Sequence, residues 1–140
     1  MSRNTALDAL LALGTAIVLP SGAWGETGRR VKSPDQCQMP ALFQADTETQ
    51  THSALGQIVR RKIAVTWVIY HSAGADQSIA PSVFGADLVD ALEAKLAAPV
   101  NLLSLTGAVY AAFIDGAIRR FPGDLDGVEI ITVPITLLLP

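Results

Sequence analysis

The sequence has few of the residues from which catalytic and metal sites are usually built. Its 140 residues include one cysteine and two histidines, and only 16% of them are charged. Cys37 cannot form an intramolecular disulfide, so the chain gives no sign of being built for an oxidising compartment. Cys37, His52 and His71 are too few for a zinc site, and no nucleotide loop, HExxH, CxxC or GxSxG motif is present. The sequence therefore predicts no enzyme, no cofactor and no metal site.

Individual polar residues do not change this prediction. His71 follows an apolar strand pattern but has no partner nucleophile, so we interpret it as ordinary polarity at a strand end. Asp115, Asp124 and Asp126 lack the ligand spacing of a calcium loop. The PGDLDG segment, which contains the last two, is typical of a tight turn.

An excess of basic residues is also missing. The net charge is −3 and the isoelectric point is near 5.2, which argues against a dedicated nucleic-acid-binding protein. Half of the residues are hydrophobic, and the mean hydropathy is +0.38. That is apolar for a soluble monomer, and it indicates that a membrane or a subunit interface takes up part of the apolar surface.

The N-terminal segment MSRNTALDALLALGTAIVLPSGAWG fits two interpretations. Its early Arg3, apolar run and small residues are typical of a secretory signal. However, Asp8 interrupts the start of the run, and residues 9–19 are too short to span a bilayer. The leucines recur with a helical period, and Thr5 with Asp8 resembles a capping box. We expect an amphipathic helix over residues 5–18, with a signal peptide as the alternative.

The middle of the chain predicts strands. Residues 20–40 are rich in glycine, proline and charge, with a short strand expected around residues 29–33. A strand begins at Ala41, becomes polar and leads into an exposed turn through TQTHSALGQ. In RRKIAVTWVIYHS both alternating faces are largely apolar, so we expect a central strand covered on both sides. One of these faces carries Ile63, Val65, Trp67 and Ile69.

The C-terminal half predicts a helix and a hairpin. SVFGADLVDALEAKL has helical periodicity, with Leu88, Val89, Leu92 and Leu96 inward and Asp87, Asp90 and Glu93 outward. GAVYAAFIDGAIRRF reads as one strand, followed by the PGDLDG turn and the last strand, GVEIITVPITLLLP, in an antiparallel hairpin. The whole chain is expected to be one domain of the α+β class (residues 1–140): an N-terminal helix (1–19), a loop-rich part (20–40) and the remainder (41–140). The sheet should be mostly antiparallel, with four to five strands and two helices packed on it.

The last strand is unusually apolar. One face is unbroken, and Pro134 on the other lacks the N–H that full pairing on both sides would need. Two interpretations stay open: an edge strand over the core, or a strand whose outer half is covered by a neighbouring subunit. The residues assigned to such an interface are Ile131, Val133, Pro134, Ile135, Leu137 and Leu139.

Six of the seven arginines occur as adjacent pairs, namely Arg29-Arg30, Arg60-Arg61 and Arg119-Arg120. Neighbouring residues on a strand point to opposite faces of the sheet, so each pair can place one positive charge on each face. A single pair is most simply a solvated strand end. For at least one of the three we expect a salt bridge to another subunit or partner.

Segments from residue 40 onward resemble a family of small tail proteins of tailed bacteriophages. The segments are QMPALF, KIAVTWVIYHSAG, LVDALEAKL, LTGAVYAAFIDGAI and GVEIITVPITLLL, and the resemblance covers about 100 of the 140 residues. The family is that of the tail terminator, or tail completion, proteins of long-tailed phages and gene-transfer particles. These motifs are patterns of apolar and turn residues, and residues 20–36 depart from them.

The resemblance implies a non-enzymatic virion protein, made in the host cytoplasm and acting without a membrane. It implies a homohexameric ring on the head-proximal end of the tail tube, which ends tube polymerisation and contacts the tube protein and the neck. Genome DNA would pass through without specific binding, and acidic residues would repel its phosphates. The hypothesised lumen residues are Asp87, Asp90, Glu93, Asp124 and Asp126. Another head–tail connector or tail-tube component is the alternative, followed by a secreted small domain.

Overall fold

The computed structural model describes residues 3–17, 19, 23–72, 82–96, 111–121 and 127–139. In chain order the elements are α1 (Arg3–Thr15), β1 (Glu26–Gly28), a 3₁₀ turn (Pro34–Gln36), β2 (Ala41–Ala54), β3 (Gln57–Ser72), α2 (Ser82–Leu96), β4 (Ala111–Ile114), β5 (Arg119–Phe121) and β6 (Val128–Leu139).

The strands form one sheet in the order β1-β2-β3-β6-β4, and β5 pairs with β6 beyond the end of β4. Every pair is antiparallel except β1 with β2, which run parallel. This confirms the α+β class and the mostly antiparallel sheet. The expected number of four to five strands is corrected to six, because the strand expected over GAVYAAFIDGAIRRF is two separate strands, β4 and β5.

One side of the sheet, called here the helix face, forms the core. The apolar side chains that β2, β3 and β6 place on it are at most 1% exposed and pack in one cluster with buried residues of α1 and α2. Each such side chain contributes about 1.5–3 kcal/mol on burial. The strand residues of the helix face are Leu42, Ile63, Val65, Trp67, Ile69, Ile131, Val133, Ile135, Leu137 and Leu139.

The opposite side, called here the open face, is much less covered. Of the β3 residues on it, Ala64, Thr66 and Val68 are only half-buried. Tyr70 is buried, in a small separate cluster with Ala41 and Phe43. The central position of β3 is therefore confirmed, but the expectation that both of its faces are covered is wrong. Among the described elements, both helices lie against the helix face.

β6 is an inner strand, because it pairs with β3 along its whole length and with β4 and β5 on the other side. The edge-strand interpretation of the C-terminal segment is therefore wrong. The pairing around residue 134 explains why an inner strand tolerates Pro134. Its carbonyl accepts a hydrogen bond from the Asp115 N–H (3.0 Å), so its missing N–H points to the same side. That side is where β4 has ended and β5 has not begun, and no donor is needed there.

α1 packs closely on β2 and β3. A Cβ added to Gly14 would lie 2.7 Å from Cδ2 of Leu42 and 3.0 Å from the Trp67 ring, so only glycine allows the helix to approach this closely. A buried polar chain joins the same elements: the Trp67 indole N–H donates to Gln44 Oε1 (2.9 Å), and Gln44 Nε2 donates to the carbonyl of Leu7 (2.8 Å). This chain satisfies buried polar atoms that would otherwise be destabilising.

Three local expectations are corrected. α1 begins at Arg3 rather than Thr5, so Thr5 lies inside the helix and does not cap it. The early strand is Glu26–Gly28, not residues 29–33. The polar segment after Ala41 stays paired through Ala54, because the turn is confined to Leu55 and Gly56, both with positive φ.

The burial of α2 agrees with its expectation: Leu88 and Leu92 are buried, and its three acidic residues are exposed.

Candidate interaction surface and buried charge cluster

The open face carries apolar side chains that the described part of the chain leaves accessible. Phe113 on β4 is 41% exposed and Phe121 on β5 is 57% exposed. Register places both on this face, opposite Thr136 and Ile130 of β6. Between them β6 presents half-buried residues. This arrangement is a sheet surface with aromatic groups at one edge, which is a feature of protein–protein contacts.

A shallow groove of about 230 Å³ crosses the open face. Its floor is made by small side chains of β3 and β6, and its charged walls are Glu48, Lys62 and Asp115. Asp115 accepts a hydrogen bond from the Thr136 hydroxyl (2.8 Å), which ties the segment after β4 to β6. The groove is polar and open, and it adds charged side chains to the face that also carries the exposed Phe113 and Phe121.

The hairpin of β2 and β3 extends beyond the sheet. β6 pairs with β3 only as far as Arg61, whereas β2 and β3 stay paired to Ala54 and Gln57. The extension is roughly 15 Å long, and Leu55 at its tip is fully exposed. In the described part of the chain no third strand pairs with it. A two-stranded ribbon of this kind has little stability alone in water, so the hairpin is suited to contact another molecule.

A buried charge cluster lies at the opposite end of the sheet. The Glu129 side chain is 0% exposed, and one of its oxygens, Oε1, accepts from Arg120 Nη2 (2.8 Å) and Nε (3.1 Å). The other oxygen, Oε2, lies 2.8 Å from His71 Nε2. That pair is close, but it is not aligned as a full hydrogen bond, so its attraction depends on the charge of the imidazole.

The backbone of α2 closes this cluster. A Cβ added to Gly85 would overlap Oε1 of Glu129 and Nη2 of Arg120, and it would lie 2.5 Å from Cδ of Glu129. Gly85 is in the first turn of the helix, whose N-terminal end favours a carboxylate. The backbone of Gly85 thus covers the Glu129 carboxylate, whereas the Arg120 side chain stays 28% exposed. The interpretation of His71 as ordinary loop polarity is therefore corrected: it is 9% exposed and paired.

Sequence reasoning missed Glu129 and Gly85. A signal for Glu129 was present, since it is in phase with Ile131 and Val133 on the apolar face of a period-two strand. A carboxylate in such a position must find a cation. No comparable signal marked Gly85, because its role depends on a contact between residues 44 positions apart.

The arginine pairs behave differently from one another. Arg120 is paired with Glu129 of its own chain, and Arg29 contacts Asp8 (3.2 Å) and Asp46 (3.9 Å). Each of these two arginines therefore has an intrachain carboxylate, and the expected intersubunit salt bridge stays a prediction. Arg119 points to the open face and is exposed, as the alternation on a strand predicts.

The other three arginines of the pairs differ in what the structure describes of their exposure. Arg30 is exposed and Arg61 is half-buried. The position of Arg60 is opposite His52 in the hairpin, and its side chain lies outside the described part. Arg30 and Arg119 are thus the pair members best placed to meet another molecule.

The apolar face of the last strand is already covered by its own chain. The helices α1 and α2 pack with it, so these side chains do not need a second subunit to shield them from water. Their assignment to an interface is corrected accordingly, and it concerns Ile131, Val133, Ile135, Leu137 and Leu139. Pro134 points to the open face and is half-buried. An interface involving β6 would have to use that face.

The hypothesised lumen residues fall into two groups. Asp87, Asp90 and Glu93 are exposed along α2. Asp124 and Asp126 lie outside the described residues. Within the described ranges no cluster of three or more metal-ligating side chains is present. No described helix is long and apolar enough to cross a membrane.

Cys37 is a poor candidate nucleophile in the structure. Its thiol donates to the carbonyl of Pro34 (3.7 Å), and it packs against the cluster that contains Phe43 and Tyr70. Burial raises the pKa of the thiol, and the nearby carboxylate of Glu26 adds to this rise. Burial also raises the pKa of Tyr70. The thiol therefore stays protonated at neutral pH, and only the thiolate reacts efficiently.

Comparison with known proteins does not add a family to this picture: no protein-family model matches the sequence, and no curated protein matches it.

Proposed function

We propose that this protein is a structural subunit that assembles with copies of itself into a ring at the head-proximal end of a bacteriophage tail tube. There the ring ends tube polymerisation and joins the tail to the neck. The motif resemblance described above supports the setting of this assembly. The open face supports the assembly itself.

The observation that carries the proposal is the pair of exposed aromatic rings, Phe113 and Phe121, on the open face. Covering the exposed part of each ring would contribute roughly 1–2 kcal/mol. The neighbouring β6 residues are half-buried, so a partner seated on the rings would also cover them. Phenylalanine is enriched at protein interfaces for this reason.

The physical basis of assembly therefore lies on the face opposite the one that the sequence indicated. The apolar residues of β6 that face the helices are satisfied within the chain. The proposal instead uses the open face, together with the exposed Arg119 beside it, and the projecting β2–β3 hairpin. Two separate surfaces on one subunit are what a closed ring requires, since each copy must contact two neighbours.

The acidic residues of α2 suit the inner wall of such a ring. Asp87, Asp90 and Glu93 lie on the opposite side of the sheet from Phe113 and Phe121, so one side can contact a neighbour while the other faces the passing DNA. Negative charge there repels phosphate and avoids specific binding. In this proposal the ring is a homohexamer in the virion, and its two ends contact the tail tube protein and the neck proteins.

Native mass spectrometry of the purified full chain tests the assembly. We expect a closed oligomer for the wild type, and a shift to monomer for Phe121→Ser. Val31→Ser is the matched control, because Val31 is 43% exposed but lies in the loop after β1. A monomeric wild type at concentrations used for assembly would contradict the proposal. A monomer with a processed N-terminus would favour a secreted domain instead.

A second experiment separates a tail terminator from other tail components. Purified protein is added to growing tail tubes, and the tube lengths are measured by electron microscopy. We expect tubes to stop growing when the wild type binds one end, and to continue in the presence of Phe121→Ser. Protein that incorporates along the tube would indicate a tube component. Protein that binds only the head connector would indicate another neck protein.

A further inference from the structure

The two exposed aromatic rings of the open face are placed symmetrically along β6. Phe113 lies opposite Thr136, and Phe121 lies opposite Ile130. Both belong to the strands that pair with the same side of β6. Val133 is midway between these two positions of β6, so the rings lie at equal distances from it in opposite directions.

Two opposite charges lie between the rings and share the same midpoint. Arg119 is opposite Thr132, one position before Val133. The Asp115 N–H donates to the carbonyl of Pro134, one position after Val133. Arg119 and Asp115 are both exposed, and Arg119 makes no hydrogen bond or ion pair within the described part of the chain. The edge therefore carries ring, acid, base and ring at matched spacings.

Such a pattern is complementary to itself. Consider a two-fold axis that lies in the plane of the sheet, crosses the strands at right angles and passes over Val133. Rotation of a second copy about this axis places the two open faces together and reverses the strand direction. Phe113 then meets Phe121 of the second copy, and Arg119 meets Asp115 of the second copy. Each contact occurs twice, as in any isologous interface.

The side chains of β3 on the open face fit the same axis. Trp67 pairs with Val133 and marks the midpoint on this strand. On one side of it are the small residues Ala64 and Thr66, which line the shallow groove. At the same distances on the other side are the larger residues Tyr70 and Val68. The rotation places the larger side chains of one copy over the smaller ones of the other.

We propose that the partner of the open face is the open face of a second copy of this chain, in a face-to-face pair about this axis. The charges favour this partner over an unrelated apolar surface, because Arg119 and Asp115 each find the opposite charge in the other copy. The strands of the two sheets run antiparallel, within the angle of about 30° that is usual for stacked sheets.

This pair goes beyond the proposed tail ring and does not rest on it. An isologous contact closes on two copies, whereas in a cyclic ring the open face contacts a different surface of the next copy. The pair is therefore a separate state of the chain, formed in the absence of tail tubes, and the tube-length experiment tests the ring independently.

Sedimentation of the purified full chain at low ionic strength, without tail tubes, tests the pair. We expect a dimer for the wild type. Arg119→Asp and Asp115→Arg each place two sets of like charges together, so each should raise the dissociation constant roughly tenfold or more. An equal mixture of the two variants should dimerise as well as the wild type, because every contact again joins Arg to Asp. Arg30→Asp is the matched control, since Arg30 is exposed in the loop after β1, and it should leave the dimer unchanged.

Cysteine cross-linking tests the same axis through the rings. In a mixture of Phe113→Cys and Phe121→Cys the two new thiols meet, while the remaining phenylalanines still face one another. Two copies of either variant alone hold the new thiols roughly 20 Å apart along the strands, beyond the reach of a disulfide. After mild oxidation, peptide mapping should find a link from residue 113 to residue 121 in the mixture alone.

Three results would overturn the pair. They are a monomeric wild type, a mixture of the charge variants that dimerises no better than either variant alone, and the absence of the link between residues 113 and 121. If a charge variant fails to fold, the cross-link decides, because it leaves Arg119 and Asp115 in place.

Discussion

The two faces of the sheet are made by alternate residues of the same strands, yet they differ in almost every physical respect. On the helix face, Trp67 and Ile131 are completely buried under α1 and α2. On the open face, their chain neighbours Thr66 and Ile130 are only half-buried. The helix face of these two strands is apolar from Ile63 to Ile69 and from Ile131 to Leu139, whereas their open face includes Lys62 and three threonines, Thr66, Thr132 and Thr136. Both helices lie against the more apolar side.

The two faces should also differ in what they contribute to stability and to the proposed function. The helix face contributes most of the favourable free energy of folding through its buried apolar cluster. The open face contributes less to folding, and it is the surface that the proposed assembly uses. Substitutions on the two faces should therefore affect different measurements.

The largest effect is expected for Trp67→Ala on the helix face. The substitution leaves a large cavity and removes the donor to Gln44, so the free energy of unfolding should fall by about 3–5 kcal/mol. Thr66→Ala, one residue earlier on the open face, should change it by less than about 1 kcal/mol. Urea denaturation followed by circular dichroism measures both. Equal losses would show that the open face is also packed.

A smaller contrast is expected between Ile131→Ala and Ile130→Ala, two neighbours on β6. Ile131 is 0% exposed, and its truncation should lower the free energy of unfolding by about 2–5 kcal/mol. Ile130 is half-buried, and its truncation should cost about half as much. The free energies of unfolding of the two variants should be compared in the monomeric protein. If Ile130→Ala becomes equally destabilising once the protein assembles, the open face is covered in the assembly.

Gly85→Ala is expected to destabilise the protein by about 1–3 kcal/mol. In an exposed helix the same change would stabilise by up to about 1 kcal/mol, but here the new methyl group meets Glu129 and Arg120. Gly28→Ala is the control, because its nearest neighbour would be 3.9 Å away. Thermal unfolding of both variants measures the difference. A more stable Gly85→Ala would mean that α2 lies further from the ion cluster.

The smallest effect concerns the covered corner of the open face, where Cys37 packs near Tyr70. Burial raises both pKa values, so the folded chain holds these protons to higher pH than the unfolded chain. Their contribution to stability is present at neutral pH and is lost as the pH rises through the alkaline range. Alkylation of Cys37 at about pH 8 should accordingly be slower in the folded protein than in urea. Equal rates would indicate an exposed thiol.

Much of the fold could be predicted, because local sequence patterns indicate most of its helices and strands. The alternation in RRKIAVTWVIYHS predicted a central strand, and helical periodicity predicted the inward leucines of α2. The break between β4 and β5 was missed, although the segment GAVYAAFIDGAIRRF contains Asp115-Gly116, a dipeptide typical of turns. Its interruption depends on Pro134, which is distant in sequence but adjacent in the sheet.

The candidate sites were harder to predict than the strands. The arginine pair at Arg119-Arg120 was noticed, and its two members do point to opposite faces. That one of them pairs with a buried carboxylate depends on the register of β5 against β6. The exposed position of Phe121 depends on the same register.

Periodicity along the chain was sufficient to show which residues share a face of each strand and helix, since the side-chain direction follows from backbone geometry alone. It could not show that the helices would leave one face of β3 uncovered, nor that Glu129 would meet His71, Arg120 and Gly85. Those outcomes were decided by packing and strand register, because they join residues that are far apart in sequence and are close only in the folded chain.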